Sequence, residues 1–189
     1  MSRLCNDDWL ALVEIAQRAI AAAIFDGCLP DLPPYSGALS ERRGAFVTLY
    51  RSGSLRGCVG QVESPGPLAE TVARSAINAA LHDPRFSPVT AEEVATLDIE
   101  LSVLSSLQPI AAEAIIAGEH GLMVIRERNK GLLLPKVAAE RNWSAQRFLE
   151  ETCVKAGLSR DAWRDPGTQV LGFTAEVFSG ARVHTFPNP

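Results

Sequence analysis

The sequence predicts an α+β fold, a mainly antiparallel sheet with flanking helices. Three observations predict it. Strand-type runs come in neighbouring pairs joined by turns of about three residues, which implies antiparallel pairing. Segments with helical apolar spacing separate those pairs. The chain shows no strict strand–helix–strand alternation of the kind that builds parallel sheets.

The elements follow in order along the 189 residues. Residues 7 to 25 read as an amphipathic helix, because Trp9, Val13, Ala16, Ile20 and Ile24 recur at spacings of three and four. Asp7 or Asp8 can cap its start and Gly27 can end it. Residues 28 to 40 read as a stiff loop, since Pro30, Pro33, Pro34 and Gly37 exclude regular structure. Residues 45 to 51 and 55 to 61 form a hairpin signal around Ser52-Gly53-Ser54. A helix opens at Pro67 and buries Leu68, Val72, Ala76 and Ala80. It ends near Leu81, ahead of Asp83-Pro84-Arg85-Phe86. Residues 97 to 104 alternate cleanly, with Leu97, Ile99, Leu101 and Val103 inward and Asp98, Glu100 and Ser102 outward. A second hairpin joins 121–126 to 131–134 around Arg128-Asn129-Lys130. A helix runs from Ser144 to Ala156 with Gly157 as its stop, and a final strand covers 170–178.

Composition bounds the function. Hydrophobic residues make up 47% and charged residues 21%, as in a folded soluble domain. The net charge of -4 argues against a dedicated nucleic-acid binder. With only three lysines among 18 basic residues, any anion recognition rests on guanidinium geometry. No apolar run is long enough to span a bilayer and none at the start has signal-peptide length, so a cytoplasmic location without membrane attachment is expected. Cysteines at 5, 28, 58 and 153 form no Cys-x-x-Cys pair, so neither a metal site nor a disulfide framework is expected. Dinucleotide, Walker, nucleophile-elbow and His-Glu-x-x-His signatures are absent, and no cofactor can be named.

One segment comes closest to chemistry: Leu55-Arg56-Gly57-Cys58-Val59-Gly60. On an extended strand Arg56 and Cys58 share a face about 7 Å apart, while Leu55 and Val59 point into the core. A cation beside a cysteine favours the reactive thiolate. Gly57 and Gly60 leave the backbone open to close approach. Cys58 then reads either as a small buried residue in a tight strand or as a thiol nucleophile, redox group or ligand contact. Arg56 is a solvated charge or an anion clamp. Arg85 either lies over the core or faces the same site. Among the scattered histidines 82, 120 and 184, His120 is the best candidate for a base. Glu92-Glu93 and Glu150-Glu151 read as solvated helix faces.

These residues resemble the AMMECR domain family. The hexapeptide at 55–60 looks like its hallmark. The resemblance continues through Asp83-Pro84-Arg85-Phe86, Ser102-Val103-Leu104-Ser105, His120-Gly121-Leu122, Leu133-Leu134-Pro135-Lys136-Val137-Ala138 with Trp143, Phe148-Leu149 and Lys155-Ala156-Gly157-Leu158. It covers residues 8 to 180, so the whole chain, 1–189, reads as one such domain, closest to the bacterial branch of the AmmeMemoRadiSam system. The resemblance implies an α+β fold in a larger and a smaller lobe, with the Arg-Gly-Cys motif facing a cleft between them. It implies a Memo-like protein and a radical SAM protein as partners. By position it carries over Arg56, Gly57, Cys58 and Gly60, and further off Arg85 and His120. It delivers no activity. Two readings stand: a component that binds or transforms a small anionic or carbonyl substrate with Cys58, and a non-catalytic adaptor for the partner proteins.

Overall fold

The computed structural model describes residues 2–28, 32 and 34–182, the last three without their side chains. Pro30 and Pro33 of the proline loop, and His184, lie outside the described residues. The chain divides into two compact units. One holds the residues up to Leu104 and those from Glu176 on; the other holds Ser105–Ala175.

The first unit is a four-stranded sheet under two helices. Its strands are β1 (Ala45–Arg51), β2 (Ser54–Gln61), β3 (Leu97–Leu104) and β8 (Ala175–Arg182), in the order β2-β1-β3-β8. The expected hairpin forms through Ser52 and Gly53, both at positive φ (50° and 76°), the backbone shape that matches a tight turn to strand twist. Helix α1 (Asn6–Ala21) continues as one π-helical segment, Ala22–Asp26, and stops at Gly27 in the left-handed conformation. Its first turn is capped by Asp8, whose carboxylate accepts the Cys5 amide. Helix α2 (Leu68–Leu81) buries Leu68, Val72, Ala76 and Ala80 as expected, and lies against β1 and β2. Its inner face is rich in alanine, with Ala69, Ala73, Ala76, Ala79 and Ala80 all buried, so backbone approaches backbone. Gly57 is the matching notch on β2: a Cβ there would overlap the Ala79 carbonyl. The short helix α3 (Ala91–Val94) precedes β3.

The second unit is a sheet of order β4-β7-β5-β6, built from β4 (Gln108–Pro109), β5 (Gly121–Arg126), β6 (Asn129–Leu133) and β7 (Gln169–Phe173). Helix α4 (Pro135–Glu140) follows β6 with proline in its first turn, and α5 (Ala145–Lys155) packs on β5 and β6. Its own core gathers Leu122, Val124, Phe148, Leu149 and Cys153. Burial raises the Cys153 thiol pKa, as befits a packing residue.

Two expectations are corrected. The run 170–178 is two strands broken at Thr174, and each belongs to a different sheet. A continuous apolar pattern carries no mark of the point where a chain changes sheets. The turn of the second hairpin falls at Glu127–Arg128, because Asn129 pairs with Arg126 and Glu127 takes the positive φ. Among the described residues no helix is long and apolar enough to cross a membrane.

Candidate functional site

The register of β2 on β1 slips at one point. Gly57 pairs with Leu49 and Leu55 with Tyr50, which leaves Arg56 as the extra residue of a bulge. The bulge breaks the simple alternation expected for the strand. Leu55, expected in the core, is 41% exposed. Val59, two residues beyond the slip on the core side, packs against the core as expected.

The Arg56 guanidinium is committed inside the protein. Its Nε and Nη2 donate to the two Glu93 carboxylate oxygens at 3.0 and 2.9 Å. Nη1 donates to the Ser87 carbonyl at 2.8 Å and Nη2 to that of Pro88 at 3.2 Å. Glu93 also accepts from Arg51 and from the Thr90 amide, both at 2.9 Å. This clamp, with Arg56 foremost, lowers the Glu93 pKa from an ordinary 4.5 to about 2. Glu93 is therefore the centre of an ion-pair cluster and not a solvated helix face. Glu151 likewise meets Arg147 and Arg160.

Cys58 sits half-buried on β2, opposite Thr48. The Thr48 hydroxyl, on a buried residue, donates to the Cys58 sulfur at 3.3 Å. Thr48 pairs in turn with Glu100 of β3, so a thiol, a hydroxyl and a carboxylate stand in one row across three strands. β2 is an edge strand, and at Cys58 its outward backbone groups are taken by side chains. The amide donates to Asp83 Oδ2 at 2.8 Å, and the carbonyl accepts from Arg85 Nη2 at 3.2 Å. Asp83 and Arg85 thus stand where a neighbouring strand would be.

These two residues also hold each other. Asp83 accepts from the Arg85 amide (3.1 Å), Nε (2.9 Å) and Nη2 (2.6 Å). The Arg85 hydrogen bond holds the Asp83 carboxyl well below the usual carboxylate range, against the opposing effect of burial. Arg85 is raised in return, chiefly by Asp83. The Cys58 side chain is a lesser cause, and the guanidinium also reaches the carbonyl of that residue. The Asp83 side chain is 3% exposed and that of Arg85 54%. Arg85 Nη1 makes no hydrogen bond among the described residues.

The two glycines expected to admit a ligand admit the protein's own atoms. Gly57 receives the Ala79 carbonyl, and a Cβ on Gly60 would overlap the Phe46 ring and the Ala45 carbonyl. His120 belongs to the second unit, where it lines a shallow groove with Ser105, Gln108, Ile110, Phe173 and Thr174. Its Nδ1 accepts the Ile116 amide at 3.0 Å and its own amide returns to the Ile116 carbonyl at 2.9 Å. The ring proton is therefore assigned to Nε2, so in this tautomer His120 offers a donor and no free lone pair for a base. The structure thus gathers Cys58, Arg85 and Thr48, with Asp83 beneath them, and spends Arg56, Gly57 and Gly60 on the frame around them.

Sequence reasoning took Glu93 for a solvated helix face and gave Asp83 and Thr48 no role of their own. Glu93 carried a readable signal, since Thr90-x-x-Glu93 is a capping box and forms as one. Asp83 and Thr48 reach Cys58 only across 25 and 10 residues of chain, and no local pattern marks such contacts. Among the described residues no group of three His, Cys, Asp or Glu side chains is placed to hold a metal ion.

The comparisons with known proteins agree in extent. A protein of Methanothermobacter thermautotrophicus is 43% identical over 185 residues, covering 93% of this chain and 95% of that one. A protein of Thermococcus gammatolerans is 42% identical over 189 residues, covering 92% and 91%. The crystal structure of the uncharacterized protein PH0010 from Pyrococcus horikoshii superposes with a TM-score of 0.83 at 40% identity, over 90% of each chain. The AMMECR1 family model matches residues 13–178. With the fold, the relatives and the family model in accord, the chain belongs to the AMMECR1 family.

Proposed function

We propose that Cys58 is the working group of this protein and that the exposed edge of Arg85 brings a small anionic or carbonyl-containing molecule to it. One observation carries the reading. The Thr48 hydroxyl donates to the Cys58 sulfur, the Arg85 guanidinium donates to the carbonyl of the same cysteine, and Nη1 has no hydrogen-bond partner among the described residues on a side chain 54% exposed. For a carbonyl substrate the balanced step is addition of the thiol across C=O. The S–C bond forms, the thiol proton passes to the carbonyl oxygen, and a hemithioacetal results without any co-reactant. Arg85 supplies a donor where negative charge grows on that oxygen. In this reading the protein works in the cytoplasm, with a Memo-like or a radical SAM protein handling the same molecule.

The adaptor reading has its own support: Arg56, Gly57 and Gly60 serve the frame, which leaves few groups for chemistry. Alkylation separates the two. Iodoacetate carries a negative charge and iodoacetamide does not, and labelling of each cysteine is followed by mass spectrometry on the native protein. A positive group at contact distance favours the anion by about fivefold, the size of one unit-charge interaction near 4 Å in water-like surroundings. The expected result is that the iodoacetate-to-iodoacetamide rate ratio at Cys58 exceeds that at the exposed Cys5 and Cys28 by about this factor, and that Arg85→Gln removes the excess. A Cys58 that stays unlabelled until unfolding, or a ratio equal to that of Cys5, overturns the thiol reading. Capture of the partner proteins that survives Cys58→Ser but is lost in Arg85→Gln establishes the adaptor.

A further inference from the structure

We infer that Asp83 is the positioning residue of this site, fixing both the Cys58 backbone and the one direction in which Arg85 can receive an anion. The inference rests on the Cys58–Arg85 reading and deepens it. A carboxylate has about four lone-pair positions. In Asp83 all are taken: Oδ1 accepts from the Arg85 amide and Nε, and Oδ2 from the Cys58 amide and Arg85 Nη2. Nothing is left for water or for a ligand, so Asp83 does not itself touch substrate. It is a buried anion whose every bond runs to one of the two residues that do.

The consequence for Arg85 is directional. A guanidinium is a rigid planar fork, and two of its three nitrogens are fixed here. Nε and Nη2 face Asp83, and Nη2 also donates to the Cys58 carbonyl. The Phe86 ring lies 5.4 Å from the Arg85 Cζ. Among the described residues Nη1 alone of the three has no hydrogen-bond partner, on a side chain 54% exposed, so an incoming oxyanion meets Arg85 end-on, by one nitrogen, and not through a paired fork. A free arginine on a loop would offer both edges and would sample many rotamers. Pro84 between the two residues fixes one backbone angle of the segment that joins them. The site is thus a cation held at one angle beside a thiol, by a carboxylate that the ligand never sees.

Two variants test this against the same alkylation ratio. Asp83→Asn keeps the size and one acceptor but removes the charge and the paired acceptance from Nε and Nη2. Arg85→Lys keeps the charge on an exposed side chain but has no fork to be oriented. Both are expected to lose the roughly fivefold iodoacetate preference at Cys58, while Cys58 stays open to iodoacetamide and circular dichroism stays native. A purely structural Asp83 would lower the melting temperature without moving the ratio. If Asp83→Asn does not fold, Arg85→Lys decides alone. Retention of the wild-type ratio in Arg85→Lys, or in a folded Asp83→Asn, overturns the positioning role. If the wild type shows no excess, or Arg85→Gln keeps it, the Cys58–Arg85 reading itself has failed. If Arg85→Gln loses the excess and these two variants keep it, only the inference about Asp83 has failed.

Discussion

Two arginine–carboxylate pairs flank Cys58, and they differ in how their cations meet solvent. In the Arg56–Glu93 pair both side chains are sealed, 13% and 12% exposed. In the Arg85–Asp83 pair the carboxylate is buried at 3% while the arginine is 54% exposed. The first pair closes on itself and on the Ser87 and Pro88 carbonyls, so it serves as a rivet between β2 and the segment before α3. The second is sealed on one side only and leaves a charged edge beside the thiol. Both contain an arginine near the cysteine, yet only the open one can answer to a ligand. Sequence proximity favoured Arg56; solvent access favours Arg85.

The largest expected effect comes from breaking the sealed pair. Arg56→Ala leaves the largely buried Glu93 with the Thr90 amide and the half-exposed Arg51. Removing one partner of a buried ion pair costs about 3–5 kcal/mol. The remaining Arg51 contact puts Arg56→Ala near the lower end of that range. Arg85→Gln is expected to cost about 1–2 kcal/mol, because a glutamine amide can still donate to Asp83 and the lost cation was half in water. Urea denaturation of the two variants measures the difference. Equal losses would erase the distinction between a rivet and a site.

Acid sharpens the same contrast. The folded-state pKa of Glu93 lies at about 2 against an ordinary 4.5. A depressed carboxylate contributes stability that is complete above the unfolded value and is lost as pH falls toward the folded one. The Glu93 contribution, on the order of 3 kcal/mol, should therefore be intact at pH 6 and decline from about pH 4.5 to about 2. In Glu93→Gln the stability curve should be flatter across that window by a similar amount. A wild-type curve already flat there would mean the clamp is not held in solution. Asp83, depressed further, begins to give up its share below the ordinary aspartate value of 3.8, within the same window, and goes on losing it at still lower pH.

Much of the frame was legible in the sequence, and the reasons are local. Ser52-Gly53 supplies the positive φ angles its turn needs, Pro67 opens α2, and the alternation of 97–104 marks β3, although Ser102, expected outward, is buried. The site was legible only in part. Cys58 and Arg85 stand out by type and neighbourhood, but the bulge at Arg56 leaves no trace in an apolar pattern that reads smoothly through it. Nor does composition show that Gly57 and Gly60 face an alanine carbonyl and a phenylalanine ring from the same chain. Asp83 is two residues from Arg85 and could have been paired with it. Its bond to the Cys58 amide depends on α2 bringing the chain back along the β2 edge, which is tertiary information.

The smallest expected effect tests the third wall of the site. Thr48→Val keeps the shape of a buried β-branched side chain and deletes only the hydroxyl that donates to the Cys58 sulfur. A single net hydrogen bond contributes about 1 kcal/mol, and one to sulfur less, so the change in stability should stay under about 1 kcal/mol. The effect on the thiol separates two arrangements. If Thr48 restrains the sulfur from one side while Arg85 faces it from the other, Thr48→Val should change the iodoacetamide rate at Cys58. The iodoacetate-to-iodoacetamide ratio, which depends on Arg85, should stay as it was. A fall in the ratio would mean that the threonine, not the aspartate, sets where the thiol sits relative to the guanidinium. The open pair would then need a hydroxyl across the sheet to act as a site.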